Sequence, residues 1–123
     1  MHELSVCQAL LRQAESIAQA RGAARIATIS VRLGPLSGVE ADLLETLYPI
    51  ARRGLRLAGE ARLIIERAPV RVLCRTCGAE TRVLPNQLRC GYCNGEGTQL
   101  VGGDECLLVS IDLITDPCPS PFP

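Results

Sequence analysis

A chain of 123 residues with 13 basic and 13 acidic side chains has no net formal charge, and it is long enough for one modest core. It contains no Trp, one Phe and two Tyr, so that core must be aliphatic. Every basic residue is Arg and no stretch carries a run of one sign, which argues against a nucleic-acid surface built from a basic face with aromatic platforms. No apolar run is long enough to span a bilayer and no apolar leader follows a basic start, so a cytoplasmic, reducing setting is expected. There, seven cysteines, an odd number, make better sense as metal ligands and buried thiols than as a disulfide framework.

The first predicted element is an amphipathic helix. Leu4, Cys7, Leu11, Ala14 and Ala18 recur at three- and four-residue steps and Leu10 and Ile17 widen the face, with a start at Glu3 or at a Ser5/Gln8 capping box and a stop at Gly22. From Ala24 to Leu33 the period falls to two, with Ala27, Ile29, Val31 and Leu33 alternating with Thr28, Ser30 and Arg32, the pattern of a half-buried strand. Ser37 to Glu40 offers a capping box for a second helix through Leu44 and Tyr48, and Pro49 predicts a kink or an early end there. A second strand is expected over 61–68, with Leu63 and Ile65 on one face, and a third over 106–114, with Leu107, Val109, Ile111 and Leu113 on one face. The last residues, 117–123, hold too many prolines for regular structure and read as a flexible tail.

Between those last two strands lie Cys74-Arg75-Thr76-Cys77 and, twelve residues on, Cys90-Gly91-Tyr92-Cys93. Two Cys-x-x-Cys pairs at this separation supply four thiolates from two knuckles, the donor set of a tetrahedral zinc site. Gly78 after the first pair and Asn94-Gly95 after the second tolerate positive φ, which lets the backbone aim N–H groups at the sulfurs. Strands over 70–73 and 81–84 would flank the knuckles. A unit of about 35 residues this poor in apolar groups needs the metal, which typically contributes about 10 to 16 kcal/mol. The fold class expected is therefore α+β, a three-stranded sheet with two helices and an inserted zinc ribbon. In domain terms this is 1–69 plus 106–116, interrupted by 70–105. Two disulfides, a redox-active pair or a rubredoxin-like iron site are the competing readings of the four cysteines. Cys7 and Cys106 read as small buried apolar groups and Cys118 as an exposed thiol in the tail.

His2 is the only histidine. A histidine at position two can chelate one metal through the Met1 amine, its own deprotonated amide and its imidazole Nδ1. A fourth donor could come from the backbone or carboxylate of Glu3, which gives the nitrogen-rich field favoured by nickel(II) and copper(II). An α-amine and an imidazole, with ordinary pKa values of about 7.7 to 8.0 and about 6.5, must both lose protons to coordinate.

Met1-His2-Glu3-Leu4-Ser5, the paired knuckles Cys74/Cys77 and Cys90/Cys93, and Gly103-Asp104-Glu105 before an apolar strand together resemble the HypA/HybF family of hydrogenase-maturation nickel chaperones. The resemblance runs from residue 1 to about residue 114. It implies nickel carried at Met1, His2 and Glu3, structural zinc at the four cysteines, a GTPase partner of the HypB type, and delivery to the large-subunit precursor of [NiFe] hydrogenase. Pro49 and the proline-rich tail depart from the family's usual pattern without touching either motif. A homodimer is compatible with a small sheet carrying an inserted ribbon, but nothing in the sequence demands one.

An enzyme is poorly supported. His2-Glu3-Leu4-Ser5-Val6-Cys7 begins like a His-Glu-x-x-His motif and ends in Cys, and no second histidine exists. Four Cys ligands leave a zinc ion no open position for water. A zinc ribbon that binds nucleic acid or a protein assembly is the other alternative. Its arginines, Arg71, Arg75, Arg82 and Arg89, are offset by Glu80, Glu96, Asp104 and Glu105, and only Tyr92 could stack on a base.

Overall fold

The computed structural model describes residues 2–115. The predicted ligand Met1, Cys118 and the tail lie outside the described residues. Helix α1 (His2–Ala20) is followed by β1 (Arg25–Leu33), α2 (Ala41–Ala51), β2 (Arg62–Arg67), β3 (Val70–Cys74), β4 (Glu80–Val83), β5 (Thr98–Gly102) and β6 (Cys106–Ile114). The strands form two three-stranded sheets, ordered β2-β1-β6 and β4-β3-β5. The class is α+β, and the sheet bearing the cysteines fits a zinc ribbon. No helix among the described residues is long and apolar enough to cross a membrane.

Helix α1 starts at His2, so Ser5 lies inside it and is not its cap. It buries Cys7, Leu11, Ala14 and Ala18 as the spacing predicts, together with Glu3, which the hydrophobic pattern leaves out. Gly22 ends it at φ +67°, a left-handed value that costs glycine little. Ala23 N–H then bonds back to Ala18 C=O at 3.0 Å and Gly22 N–H to Gln19 C=O at 3.1 Å, the Schellman arrangement. Helix α2 departs from expectation at both ends. Its N-cap is Glu40, with no side-chain cap. The Ser37 hydroxyl instead accepts from Val39 N–H at 3.2 Å, a local turn that competes with capping. Pro49 does not end the helix at Tyr48, because α2 continues to Ala51. A proline this close to the C-terminus removes only one late backbone bond.

The central strand β1 runs parallel to β2, with α2 in the crossover, and antiparallel to β6. Two irregularities in the β1–β6 ladder, between Ile26 and Thr28 and between Ser30 and Val31, reset which residues face the helices. Ile26 is consequently buried in place of the expected Ala27. On β6, Cys106, Leu108, Ile111 and Leu113 pack against the core while Leu107 and Val109 face out, correcting the uninterrupted alternation read from the sequence. The connection from α2 to β2 is drawn into the same core by Leu57, Ala58 and Ala61. Ile26 N–H donates to Leu57 C=O at 2.7 Å, and Leu57 N–H donates to the Glu15 carboxylate at 2.9 Å. The Tyr48 hydroxyl donates to Ala61 C=O at 2.8 Å, so its buried oxygen is satisfied.

In the second sheet β3 is central and antiparallel to both neighbours. Strand β5 is absent from the sequence reading; its solvent-facing Gln99, Leu100 and Val101 show no alternation, and it exists through its pairing with β3. The two sheets meet at a tight backbone crossing. Gly34 N–H donates to Glu105 C=O at 2.8 Å and Leu36 N–H to Gly103 C=O at 2.7 Å. A Cβ at Gly34 would collide with the Gly103 carbonyl, and one at Gly103 would come within 2.7 Å of Val70 Cα. Gly34→Ala should therefore lose about 1 to 3 kcal/mol or more in urea unfolding. Gly97→Ala, where a Cβ meets nothing, should stay within about 0.5 kcal/mol.

Candidate metal centres

The four cysteines converge. Cys74 ends β3, Cys77 closes the turn that follows, and Cys90 and Cys93 sit on the matching turn between β4 and β5. Their sulfurs all lie within 4.8 Å of one another, with Cys74 to Cys93 at 3.5 Å and Cys77 to Cys90 at 3.6 Å. A disulfide needs about 2.05 Å, so the two-disulfide reading is wrong. Sulfurs about 2.3 Å from a tetrahedral zinc would stand about 3.8 Å apart, and the observed cluster is close to that size.

Both knuckles are built alike. Thr76 and Cys77 N–H each donate to Cys74 Sγ at 3.4 Å, and Tyr92 and Cys93 N–H donate to Cys90 Sγ at 3.3 and 3.4 Å. Gly78 at φ +77° and Asn94 at φ +62° make the left-handed step that permits this. Cys74 and Cys90 are buried and Cys77 and Cys93 exposed, so each turn contributes one inner and one outer sulfur. Backbone donation, first from Cys77 N–H, holds the Cys74 thiol down to about 6, and donation from Cys93 N–H lowers Cys90. Cys93 is pushed up to about 12; Gly95 N–H holds it down, but the neighbouring Cys74 and Cys77 sulfurs outweigh that donation. Cys77 is also raised, Ala79 N–H being outweighed by burial and by Cys90 and Cys74. Four sulfurs this close cannot all be thiolates without a cation between them. A divalent thiophilic metal is the group this donor set fits, and with four protein ligands its coordination would be complete.

The other end of the chain is organised differently. His2 has its ring exposed on the first turn of α1, and its Nε2 lies 2.6 Å from Gly38 C=O. Glu3, beside it, is only 5 % exposed. Its carboxylate points inward, accepts from Glu40 N–H at 3.4 Å and stands 3.6 Å from His2 Nε2. Donation from its own backbone N–H, the first of several hydrogen bonds that outweigh burial, lowers the Glu3 carboxyl below its ordinary value. That stabilisation is complete at neutral pH and is lost as pH falls through the lowered value. Among its contacts, the Glu3 carboxylate reaches the loop before α2 through Glu40 N–H. No pattern in the sequence links residues 2 and 3 to residues 38 and 40; only the fold brings them together.

Cys7 and Cys106, the other cysteines among the described residues, are packed as small apolar groups. Cys7 is 2 % exposed and burial pushes its thiol up to about 11; Cys106 is half-buried against the core and also raised by burial. The ribbon's arginines are partly neutralised in place, with Arg71 bonded to Glu80 at 3.1 Å and Arg89 to Glu96 at 2.7 Å, which leaves little of the basic field a nucleic-acid surface requires.

The family model described as "Hydrogenase/urease nickel incorporation, metallochaperone, hypA" matches residues 1–113. The chain belongs to the HypA family. The hydrogenase maturation factor HypA of Nitrosospira multiformis is 46 % identical over 115 residues, covering 94 % of this chain and 99 % of the relative. That of Chloroflexus aurantiacus is 42 % identical over 113 residues, covering 91 % and 98 %. The solution structure of the Ni metallochaperone HypA from Helicobacter pylori superposes with a TM-score of 0.68 at 23 % identity, covering 94 % of this chain and all of that one, a likeness of fold. As a HypA chain the protein is a nickel-incorporation metallochaperone of hydrogenase maturation and not an enzyme. Its working partners are accordingly hydrogenase-related.

Because Cys77 and Cys93 are raised and hold protons at neutral pH, loading metal-free protein with zinc should release those protons, and zinc should be lost as pH falls. Absorbance of a pH indicator in weak buffer near pH 7 would record the release. Zinc uptake with no acidification would contradict the proposed protonation.

Proposed function

We propose that this HypA chain carries nickel(II) on Met1, His2 and Glu3, holds a resident zinc ion on Cys74, Cys77, Cys90 and Cys93, and hands the nickel to the large-subunit precursor of [NiFe] hydrogenase. In domain terms, 1–69 plus 106–116 form the nickel-binding unit and 70–105 the inserted ribbon. The work is placed in the cytoplasm, with a GTPase of the HypB type as partner. The observation that carries the reading is the setting of the only histidine: an exposed ring on the first turn of α1, separate from a four-sulfur cluster that can saturate its own metal.

Helix geometry supports amide coordination there. The N–H groups of the first helical turn have no carbonyl one turn behind them, so that of His2 can be replaced by metal without breaking a helical hydrogen bond. Glu3 supplies a further donor through its backbone nitrogen or its carboxylate, the latter lying toward Glu40 N–H. The positive end of the helix dipole opposes a cation at this position, which keeps nickel exchangeable and suits a carrier that must release its cargo. Transfer then proceeds by ligand exchange at an open, solvent-facing site.

His2→Ala should abolish stoichiometric nickel uptake while leaving zinc content and fold intact, as measured by equilibrium dialysis with metal analysis. A short extension ahead of Met1 should do the same by removing the free amine. Retention of nickel by either protein would sink the corresponding ligand.

A further inference from the structure

The Gly38 carbonyl touches the proposed nickel ligand without being a ligand itself. A carbonyl oxygen only accepts hydrogen bonds, so the 2.6 Å contact from His2 Nε2 to Gly38 O requires the proton to sit on Nε2. The Glu3 carboxylate, 3.6 Å from the same nitrogen, favours that placement. In a neutral imidazole the lone pair then belongs to Nδ1, the ring nitrogen nearer the backbone, which closes a six-membered chelate ring with the residue's own amide nitrogen. We propose that Gly38 is a positioning residue for nickel: its carbonyl selects the Nε2–H tautomer of His2 and steadies the ring so that Nδ1 is presented to the metal. The proposal rests on nickel binding at the N-terminus as given above and deepens it.

Such an acceptor must be rigid to select a tautomer, and the loop that bears it is. Gly34 and Leu36 N–H are bonded to Glu105 and Gly103 carbonyls, Ser37 N–H to Gly34 C=O at 3.1 Å, and Val39 N–H to Ser37 Oγ at 3.2 Å. Glu40 N–H is tied to Glu3 Oε2, on the same helical turn as His2. Gly38 itself sits at φ +81°, and a Cβ there would meet nothing within 4 Å. Substitution at this position therefore acts through the backbone conformation, with no clash to confuse the result.

That property makes the test specific. A β-branched residue is a marked outlier at positive φ, whereas Asn tolerates it. Gly38→Val should turn the carbonyl away and weaken nickel binding by about 10- to 100-fold, the range for losing a hydrogen bond behind a ligating histidine. Gly38→Asn should recover most of that loss. Affinities would be read by competition with a chromophoric chelator on untagged, zinc-loaded protein, with zinc content and the amide spectrum reporting fold. Long-range ¹H–¹⁵N correlation on the unsubstituted, nickel-free protein above pH 8 should show His2 as the Nε2–H tautomer. A merely structural tie would lower the melting temperature of Gly38→Val with nickel affinity unchanged. An Nδ1–H tautomer, or wild-type affinity in Gly38→Val, overturns the proposal. If His2→Ala binds nickel normally, the N-terminal site itself is wrong; if it loses nickel while Gly38→Val does not, only the role of Gly38 fails.

Discussion

The return of β6 to the side of β1 is the constraint from which the rest follows. Strand β1 is hydrogen-bonded to β2, which precedes the cysteine segment, and to β6, which follows it. Both ends of that segment are thereby brought to one sheet, and residues 70–105 must leave and re-enter at neighbouring points. The crossing at Gly34 and Gly103 is the geometric result: backbone lies directly on backbone, and only glycine fits. The same crossing fixes the loop that runs on to Gly38 and Glu40, and through it the first turn of α1.

Two settings of opposite character result, a four-sulfur cluster and the proposed nickel-binding turn. The four-sulfur cluster is assembled from two turns of one small sheet, each donating backbone N–H groups to its own inner cysteine. It is compact, and its four sulfurs suffice to complete the coordination of one metal ion. The N-terminal turn has one exposed imidazole and, beside it, a buried carboxylate that accepts from Glu40 N–H. The first arrangement suits retention of a metal, and under the proposed function the second suits exchange.

Much of this was legible in the residues because local rules and tertiary packing agree. The face of α1 at Cys7, Leu11, Ala14 and Ala18, the stop at Gly22, and the knuckle turns at Gly78 and Asn94 each follow from spacing and backbone preference. Failures occur where a tertiary contact overrides the local pattern. Ile26 is buried and Val109 exposed because irregularities in the β1–β6 ladder shift the alternation, and no single-strand pattern encodes a bulge. Ser37 closes a turn and does not cap α2 because the loop before that helix is committed to Gly103, Glu105 and Glu3. Strand β5 is specified by its partner β3. Glu3 is buried against its residue type, and Glu40 N–H, thirty-seven positions away, donates to its carboxylate.

The central claim is that the two metals are held by separate and chemically different donor sets. X-ray absorption at both metal edges of the doubly loaded, untagged protein tests it most directly. The account predicts a zinc edge fitted by four sulfurs at about 2.3 Å and a nickel edge fitted by nitrogen and oxygen alone, with imidazole scattering from one ring. Sulfur in the nickel shell, or nitrogen replacing sulfur around zinc, would contradict it.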